Sequence, residues 1–276
     1  MIYLLATMLC AGMIYYIANL KSSIDYQKNN INKYKITKSI VFDDCPHFKL
    51  CNDRCPHLNE HGLCNIILNC GEDYISDICR EHPRFYNFTN LGKEMGIGMS
   101  CEEACRLILE SDDFDQILEL ASYPGDIEQY EYDATQDRDY VFNILKNNSS
   151  CIFNNIKLLQ DSFGINTNSL NYTDSIPNLE YLHTENKELL LKAKKIYWNE
   201  SISAELSRIL AYYVYRHCSE AFDYDEFRID LSFAIYCTGL VSTLSDLDTI
   251  YDIARIVSEE IEYSQDNTET IKSLFE

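Results

Sequence analysis

The chain has 276 residues, which suffices for one large domain or two ordinary ones, and its 46% hydrophobic and 12% aromatic content excludes a disordered chain. Only 9 Gly and 5 Pro are present, which argues against a loop-rich or all-β architecture and favours long helices. The net charge of -21 would repel phosphate backbones, and no local basic patch offsets it, so we expect no nucleic-acid partner.

The first twenty residues, MIYLLATMLCAGMIYYIANL, carry no charged side chain. A helix of that length, at about 1.5 Å per residue, could just cross a hydrocarbon core of about 30 Å. The segment lacks the basic start and the cleavage site of a signal peptide. Lysines at 21, 28, 33, 35 and 38 follow it, so a spanning segment would keep the remaining chain in the cytoplasm. We favour a buried helix for residues 1–20, with a membrane anchor as the alternative.

Residues 21–44 form a polar connector, and a cysteine-rich region follows from 45 to 110. Eight of the twelve cysteines lie between 45 and 105. Dipeptides such as Cys55-Pro56 and His82-Pro83 favour turns or extended backbone, so this region has little apolar periodicity for building a core. Such a region needs a cross-link. Because the rest of the chain resembles a self-sufficient helical core, reduced thiols holding a metal are favoured over disulfides.

Four cysteines form the predicted ligand set: Cys55, Cys64, Cys79 and Cys101. Four thiolates suit either a tetrahedral zinc or an iron-sulfur cluster, and ligand softness does not separate the two. No C-x2-C knuckle is present, which excludes an ordinary zinc ribbon, and the cysteine spacing of radical enzymes that use S-adenosylmethionine is also missing. Further ligands could come from Cys45, Cys51, Cys70, Cys105, His47, His57, His61 and His82.

A helix is predicted over 101–110, because Ser100 followed by Glu103 fits a capping box before an apolar face. Cys101 would then lie in the first turn, where backbone amides favour a thiolate. Cys105 would share its face and could instead be a small core residue. The glycine-containing stretch 91–98 has no dinucleotide-binding spacing, and we predict a turn there.

Apolar residues at helical spacing predict a helical domain over 111–276. On its helices, the cluster Tyr212, Tyr213, Tyr215, Arg216 and His217 is expected to be hydrogen-bonded core. The acidic run 126–140 is expected to be a solvated face, with a basic peptide as the alternative ligand. The predicted helices are 113–121, 137–147, 151–161, 179–198, 202–219, 227–244, 246–263 and 268–275.

The predicted fold is therefore mainly α. It combines a helical carboxyl-terminal core with a loop-rich, metal-stapled cysteine module near the amino terminus.

The segment CPHLNEHGLCNIILNCGEDYISDICREHPRFYN, followed by MSCEEACRLIL, resembles the cysteine-rich block of the flagellin lysine-N-methylase family. Members carry C-P-[FH]-L-x-x-x-G-L-C, then G-E-x-x-x-S-x-x-C-R-x-[YH]-P-R, then S-C-x-E-A-x-R. The resemblance covers about 55 residues closely. The matching positions are Cys55, Pro56, Leu58, Gly62, Leu63, Cys64, Gly71, Glu72, Ser76, Cys79, Arg80, Pro83, Arg84, Ser100, Cys101, Glu103, Ala104 and Arg106.

The resemblance implies a cytoplasmic methyltransferase that moves a methyl group from S-adenosylmethionine to the ε-amino group of lysines on flagellin. It also implies a metal centre held by these cysteines, either an iron-sulfur cluster of the 4Fe-4S type or zinc. No residue of the sequence identifies the catalytic base or the cofactor pocket.

Members of the family usually begin with a further block resembling F-x-C-x-x-x-C-x-x-x-C-C-x-x-W, where this chain has the uncharged segment 1–20. The chain is thus expected to be a shortened or divergent member, unless Cys45 and Cys51 replace part of that block. Two alternatives to the enzyme stay open. One is a non-catalytic metal-binding interaction protein derived from such an enzyme, and the other is an iron- or zinc-handling protein without methyl chemistry.

Overall fold

The computed structural model describes residues 39–41, 47–51, 54–120, 129–147, 151–166 and 173–276. The apolar segment 1–20, most of the connector 21–44 and Cys45 lie outside the described residues. The chain divides into two compact units, Met1–His82 and Pro83–Glu276. The hairpin and the helix that follow Pro83 therefore belong to the second unit.

The amino-terminal unit contains short elements separated by turns. Strands β1 (Ile40–Val41) and β2 (His47–Phe48) pair antiparallel, and two short helices follow, α1 (Asn65–Cys70) and α2 (Asp77–Glu81). In its described part, the buried apolar side chains are Ile66 and Ile75, against which Cys64, Cys70 and Tyr74 pack. A core of this size cannot offset the conformational entropy of the segment that it orders.

The second unit begins with a β-hairpin of β3 (Arg84–Thr89) and β4 (Gly92–Ile97), paired antiparallel. The turn predicted for 91–98 is therefore wrong over most of its length. The buried side chains of the hairpin include Asn87, Thr89 and Glu94, whereas Phe88 and Met95 are exposed. The hairpin thus buries polar side chains and exposes apolar ones, which reverses the usual strand pattern. A search for alternating buried apolar residues therefore does not predict these two strands.

Eight helices of the second unit are described, and two of them, α7 (Ser203–His217) and α8 (Tyr224–Leu244), form its centre. Helix α8 starts at Asp223, whose side chain accepts from the Glu226 N–H. Helix α9 (Ile250–Val257) starts at Thr249, whose side chain accepts from the Asp252 N–H. Such caps satisfy amides that a helix leaves unpaired. The helices are α3 (Glu102–Glu110), α4 (Ala134–Asn147), α5 (Ile152–Phe163), α6 (Thr184–Leu190), α7 (Ser203–His217), α8 (Tyr224–Leu244), α9 (Ile250–Val257) and α10 (Gln265–Lys272).

The mainly helical fold class is confirmed, and the predicted helices at 137–147, 151–161, 202–219, 227–244, 246–263 and 268–275 each have a counterpart. The helix predicted for 113–121 is wrong over its described residues. Arg208 donates to the Ser111 carbonyl oxygen at 2.7 Å and to Asp112 at 2.8 Å, which anchors the chain just before this segment.

The helix predicted for 179–198 is confirmed only over α6. Beyond it the chain hydrogen-bonds to α8 instead of continuing its own helix. The Tyr197 N–H donates to Thr243 at 2.8 Å and the Asn199 N–H donates to Ser242 at 2.7 Å. Tertiary hydrogen bonds thus replace helical ones, which a local propensity does not anticipate.

The predicted capping box at Ser100 is also wrong, because α3 begins at Glu102 with Cys101 at its N-cap and without a side-chain cap. Helix α8 is long and apolar enough to cross a membrane by length and composition. However, 83% of its apolar stretch is buried inside the protein, as in the core helix of a globular unit.

Candidate functional site

Three of the four predicted metal ligands lie in the amino-terminal unit. Cys55 and Cys64 are half-buried on either side of a turn, and Cys79 is exposed on α2. The Asn59 side chain accepts from the backbone N–H groups of His61 and Leu63, both at 2.9 Å, and so fixes the turn. The loop between the first two thiols is therefore defined by local hydrogen bonds.

Cys101, the fourth predicted ligand, belongs to the second unit, where it is half-buried at the N-cap of α3. Its neighbour Cys105 is buried and donates from Sγ to the Tyr251 carbonyl oxygen at 3.5 Å. Burial raises the pKa of the Cys105 thiol to about 12. Without a metal, a thiol in this setting stays protonated at neutral pH and packs as a small core residue.

The other candidate ligands differ in their surroundings. Cys51 is exposed, Cys70 is half-buried, and the His57 Nε2 lies 2.8 Å from the Ser39 hydroxyl, a hydrogen bond that competes with metal binding. Across the described residues, no group of three or more His, Cys, Asp or Glu side chains lies close enough together to hold a metal ion. The described cysteines form no disulfide with one another, so their donor chemistry fits a soft metal. The ligand set stays a prediction.

A buried carboxylate, Glu262, has four polar side chains around it in the helical unit. It lies at the end of a π-helical segment, Ser258–Glu262, that continues α9. The Tyr212 hydroxyl donates to its two oxygens at 2.8 and 3.0 Å, and the Arg216 Nε lies 2.7 Å from Oε1. The His217 Nε2 lies 3.2 Å from the same oxygen, and the Ser258 hydroxyl donates to Oε2.

The guanidinium group of Arg216 also contacts two aromatic rings. The ring centroids of Phe85 and Tyr263 lie 4.7 and 4.6 Å from its Cζ, one from the hairpin and one from beyond the π-helical segment. The backbone of Gly98 passes so close that an added Cβ would lie 1.8 Å from the Tyr263 hydroxyl oxygen. The site therefore joins β4, α7 and the π-helical segment in one close-packed arrangement.

The charges of this cluster are mutually stabilised. Burial acts to raise the pKa of Glu262, but the His217 hydrogen bond and the charge of Arg216 outweigh it, so the pKa lies below its usual value. Burial, together with the Glu262 charge, raises the pKa of Tyr212 well above its usual value. At neutral pH the cluster thus holds a carboxylate, a guanidinium and a neutral phenol.

The expectation that this polar-aromatic cluster is hydrogen-bonded core is confirmed for Tyr212, Arg216 and His217. Its central acceptor, Glu262, was missed. Glutamate in an acidic sequence such as SEEIEYS carries no local sign of burial. The π-helical turn that brings Glu262 inward became evident only in the structure.

A groove of about 190 Å³ opens beside the hairpin. Its walls are aromatic and acidic, and it is smaller than the clefts of roughly 300–1,000 Å³ that hold drug-sized ligands and cofactors. Its lining includes four aromatic and two acidic residues, which are Phe88, Tyr130, Tyr132, Phe222, Asp133 and Glu220.

A buried ion pair lies under the groove. Arg138 donates to Glu94 at 2.6 and 3.1 Å and to the Ser219 hydroxyl at 3.0 Å, and Ser219 lines the groove. The Arg138 side chain is fully buried and its charge is matched by Glu94. The pair holds α4 against the hairpin and supports the groove from below.

Comparison of the chain with protein-family models, with curated proteins and with solved structures found no match in any of the three.

Proposed function

We propose that this chain is a cytoplasmic, metal-binding protein-lysine methyltransferase, with S-adenosylmethionine as methyl donor and flagellin as substrate. The observation that carries the proposal is the spacing of Cys55, Cys64, Cys79 and Cys101 within a segment that resembles the flagellin lysine-N-methylases. The chain would be a divergent relative of those enzymes.

The size of the amino-terminal core supports the metal part of the proposal. Its described part buries only Ile66 and Ile75 as apolar side chains, while its five described cysteines, at 51, 55, 64, 70 and 79, are exposed or half-buried. Metal coordination would contribute directly to the folding of such a unit. The metal, an iron-sulfur cluster or zinc, would be held by Cys55, Cys64, Cys79 and Cys101 and would supply a structural cross-link, because four thiolates fill the coordination positions of either centre.

Methyl transfer to lysine sets clear demands on the protein. The lysine nitrogen must lose its proton before its lone pair attacks the methyl carbon, and the carbon–sulfur bond then breaks with its electrons going to sulfur. A site achieves this by removing water from the ammonium group, which lowers the lysine pKa, or by placing beside it a base that accepts the proton.

The proposal is tested by incubating flagellin with anaerobically purified protein and isotope-labelled S-adenosylmethionine, followed by mass spectrometry of the flagellin peptides. We expect label on lysine side chains, and we expect Cys79→Ser to abolish it. Cys151→Ser is the matched control, since Cys151 lies at the start of α5 in the other unit. Absence of label with metal-loaded protein would refute the enzyme proposal.

The same cysteines would equally serve a second candidate, a non-catalytic metal-binding interaction protein derived from such an enzyme. That protein would bind metal through the same cysteines but would neither bind S-adenosylmethionine nor label lysine. The two candidates therefore differ in donor binding, which isothermal titration calorimetry measures on the metal-loaded chain.

A further inference from the structure

We infer that the groove beside the hairpin binds the side chain of a lysine, unmodified or methylated, presented by a protein partner. The inference rests on the proposed function in that lysine is the residue the proposed reaction modifies. Its physical basis is separate, because it comes from the groove's size, its aromatic walls and its charge.

The size of the groove matches a side chain. A volume of about 190 Å³ accommodates one long aliphatic chain with its head group. It falls below the range of pockets that enclose whole cofactors. The groove is therefore suited to a residue that projects from a larger partner.

Aromatic rings provide the walls. Phe88, Phe222 and Tyr130 have exposed fractions of 54%, 70% and 42%, so their surfaces are available to a ligand. An ammonium group within about 6 Å of such a ring centroid is attracted to the negative face of the ring. The hairpin already shows this contact, since the Lys93 Nζ lies 3.8 Å from the Tyr86 centroid and 5.9 Å from the Phe88 centroid.

Two of the residues that line the groove, Glu220 and Asp133, carry acidic side chains. Glu220 accepts from the Phe88 N–H at 2.7 Å through one oxygen, and its other oxygen has no partner among the residues that the structure describes. Burial acts to raise the pKa of Asp133, but hydrogen bonds from Thr135 and Gln136 outweigh it and leave the pKa below its usual value. Asp133 is thus charged at neutral pH and attracts a cation.

The buried cation beneath the groove does not cancel this charge. Arg138 beneath the groove is fully buried and matched by Glu94. Helix α4 begins at the groove, and its first amides would favour an anion. Asp133 already accepts from the Thr135 N–H at 3.2 Å and so fills that position. A cationic ligand is therefore favoured over a phosphate or a carboxylate.

The wall containing Tyr130 is held in place before any ligand arrives. The Tyr130 N–H donates to the Asn90 side chain at 2.7 Å, and the Asn90 amide donates back to the Tyr130 carbonyl oxygen at 3.1 Å. This reciprocal pair ties the segment to the hairpin turn. A preformed wall lowers the entropy lost on binding.

The test is an NMR titration of the full chain with blocked lysine and blocked trimethyl-lysine, without methyl donor. Blocked Nε-acetyl-lysine is the neutral control of similar size. We expect the two cationic ligands to shift the signals of Phe88, Tyr130 and Phe222, and the shifts to weaken as salt is added. Equal effects of the acetylated ligand, or stronger binding of inorganic phosphate at these residues, would overturn the inference.

Two variants localise the binding. Phe222→Ala and Glu220→Gln should each weaken cationic ligands by about two- to fivefold, as expected for an exposed cation–π or ion-pair contact. The matched controls are Phe153→Ala on α5 and Glu188→Gln on α6, both exposed residues outside the groove lining. Unchanged affinity in both groove variants would overturn the assignment.

The outcomes separate this inference from the proposed function. If lysine binds at the groove but flagellin is not methylated, the enzyme proposal is refuted and the groove assignment is supported. Methylation that proceeds equally in wild type, Phe222→Ala and Glu220→Gln removes the groove assignment alone.

Discussion

Glu262 shows how a single residue can organise the centre of the helical unit. A lone buried carboxylate would be neutralised or excluded from a core, yet this one keeps its charge because Tyr212, Arg216, His217 and Ser258 all contact it. Removing the charge would leave Arg216 without its counter-ion in a largely buried position. Loss of one partner of such a pair typically costs more than the pair contributes.

We predict that Glu262→Gln lowers the free energy of unfolding by about 3 kcal/mol at pH 7, as for other buried ion pairs that lose one partner. The folded pKa of Glu262 lies below the ordinary value of 4.5, so its charge contributes stability in full above pH 4.5. That contribution declines as the pH falls from 4.5 through the folded pKa.

The measurement is urea unfolding of wild type and Glu262→Gln across pH 3–7, with the exposed Glu188→Gln as control. We expect the difference between wild type and Glu262→Gln to shrink below pH 4.5, whereas the control stays near wild type throughout. A difference that is constant with pH would contradict a charged Glu262 in the folded protein.

The cysteines separate into two groups with different predicted behaviour. We predict that Cys64→Ser and Cys79→Ser release metal and lower the melting temperature, because thiolate coordination stabilises the unit that contains them. Cys151→Ser, Cys218→Ser and Cys237→Ser should retain metal. Cys218 and Cys237 are fully buried, so serine there costs stability through an unmet hydrogen bond.

Metal content per chain, measured by plasma mass spectrometry, checks this prediction independently of stability. Wild-type metal content in both Cys64→Ser and Cys79→Ser would refute the ligand assignment. Loss of metal from Cys237→Ser while the chain remains folded would contradict it as well.

At the scale of elements, the junction between β4 and α3 requires glycine at position 98, because a side chain there would meet neighbouring atoms. A Cβ on Gly98 would lie 1.8 Å from the Tyr263 hydroxyl oxygen and 3.1 Å from the Arg216 Nη1. Tyr263 is half-exposed and can move outward, but only by giving up its 3.2 Å hydrogen bond with Arg216. The close approach thus links the hairpin to the Glu262 cluster.

We predict that Gly98→Ala destabilises the protein by about 1–3 kcal/mol, the usual cost of overpacking. Tyr263→Phe removes the hydroxyl that the new methyl group meets, so the double variant should lose less than the sum of the two single variants. Chemical denaturation of the four proteins measures this coupling. Strictly additive losses would contradict the contact.

Helical spacing predicted most elements of the second unit because its long helices bury apolar residues at regular intervals, as Leu206, Ile209, Leu210 and Tyr213 do on α7. The hairpin escaped prediction because Asn87, Thr89 and Glu94 are its buried positions. Segments that bond to other elements, such as Tyr197 to α8, were also predicted incorrectly. Their conformation is determined by partners distant in sequence.

At the scale of the whole molecule, the two units differ in how they are stabilised. The second has a continuous core of large apolar side chains, whereas the described part of the first buries two. Size and burial therefore predict that the second folds without metal and that the first depends on it.

We predict that metal removal by a chelator exposes bonds within residues 54–82 to protease while the helical unit stays resistant, because local stability follows the core of each unit. Limited proteolysis with mass spectrometry of the fragments measures this. The matched control is metal-loaded protein digested under the same conditions. Equal resistance of both units after metal removal would contradict the prediction.

The candidate sites differ in how far the sequence could reveal them. The cysteines were evident because their residue type and clustering are unusual. The groove was not, because Phe88, Tyr130 and Phe222 come from three segments that only the fold brings together. The acidic run 126–140 was expected to be a solvated face, and its residue Asp133 is one of the groove's carboxylates.

The central claim is that the cysteine-rich region holds a metal, and metal with acid-labile sulfide analysis of protein purified without oxygen tests it most directly. The account predicts bound metal. About four irons with matching sulfide per chain are expected for a cubane cluster, or one zinc without sulfide for a tetrahedral site. Folded protein that contains neither iron nor zinc would contradict the claim.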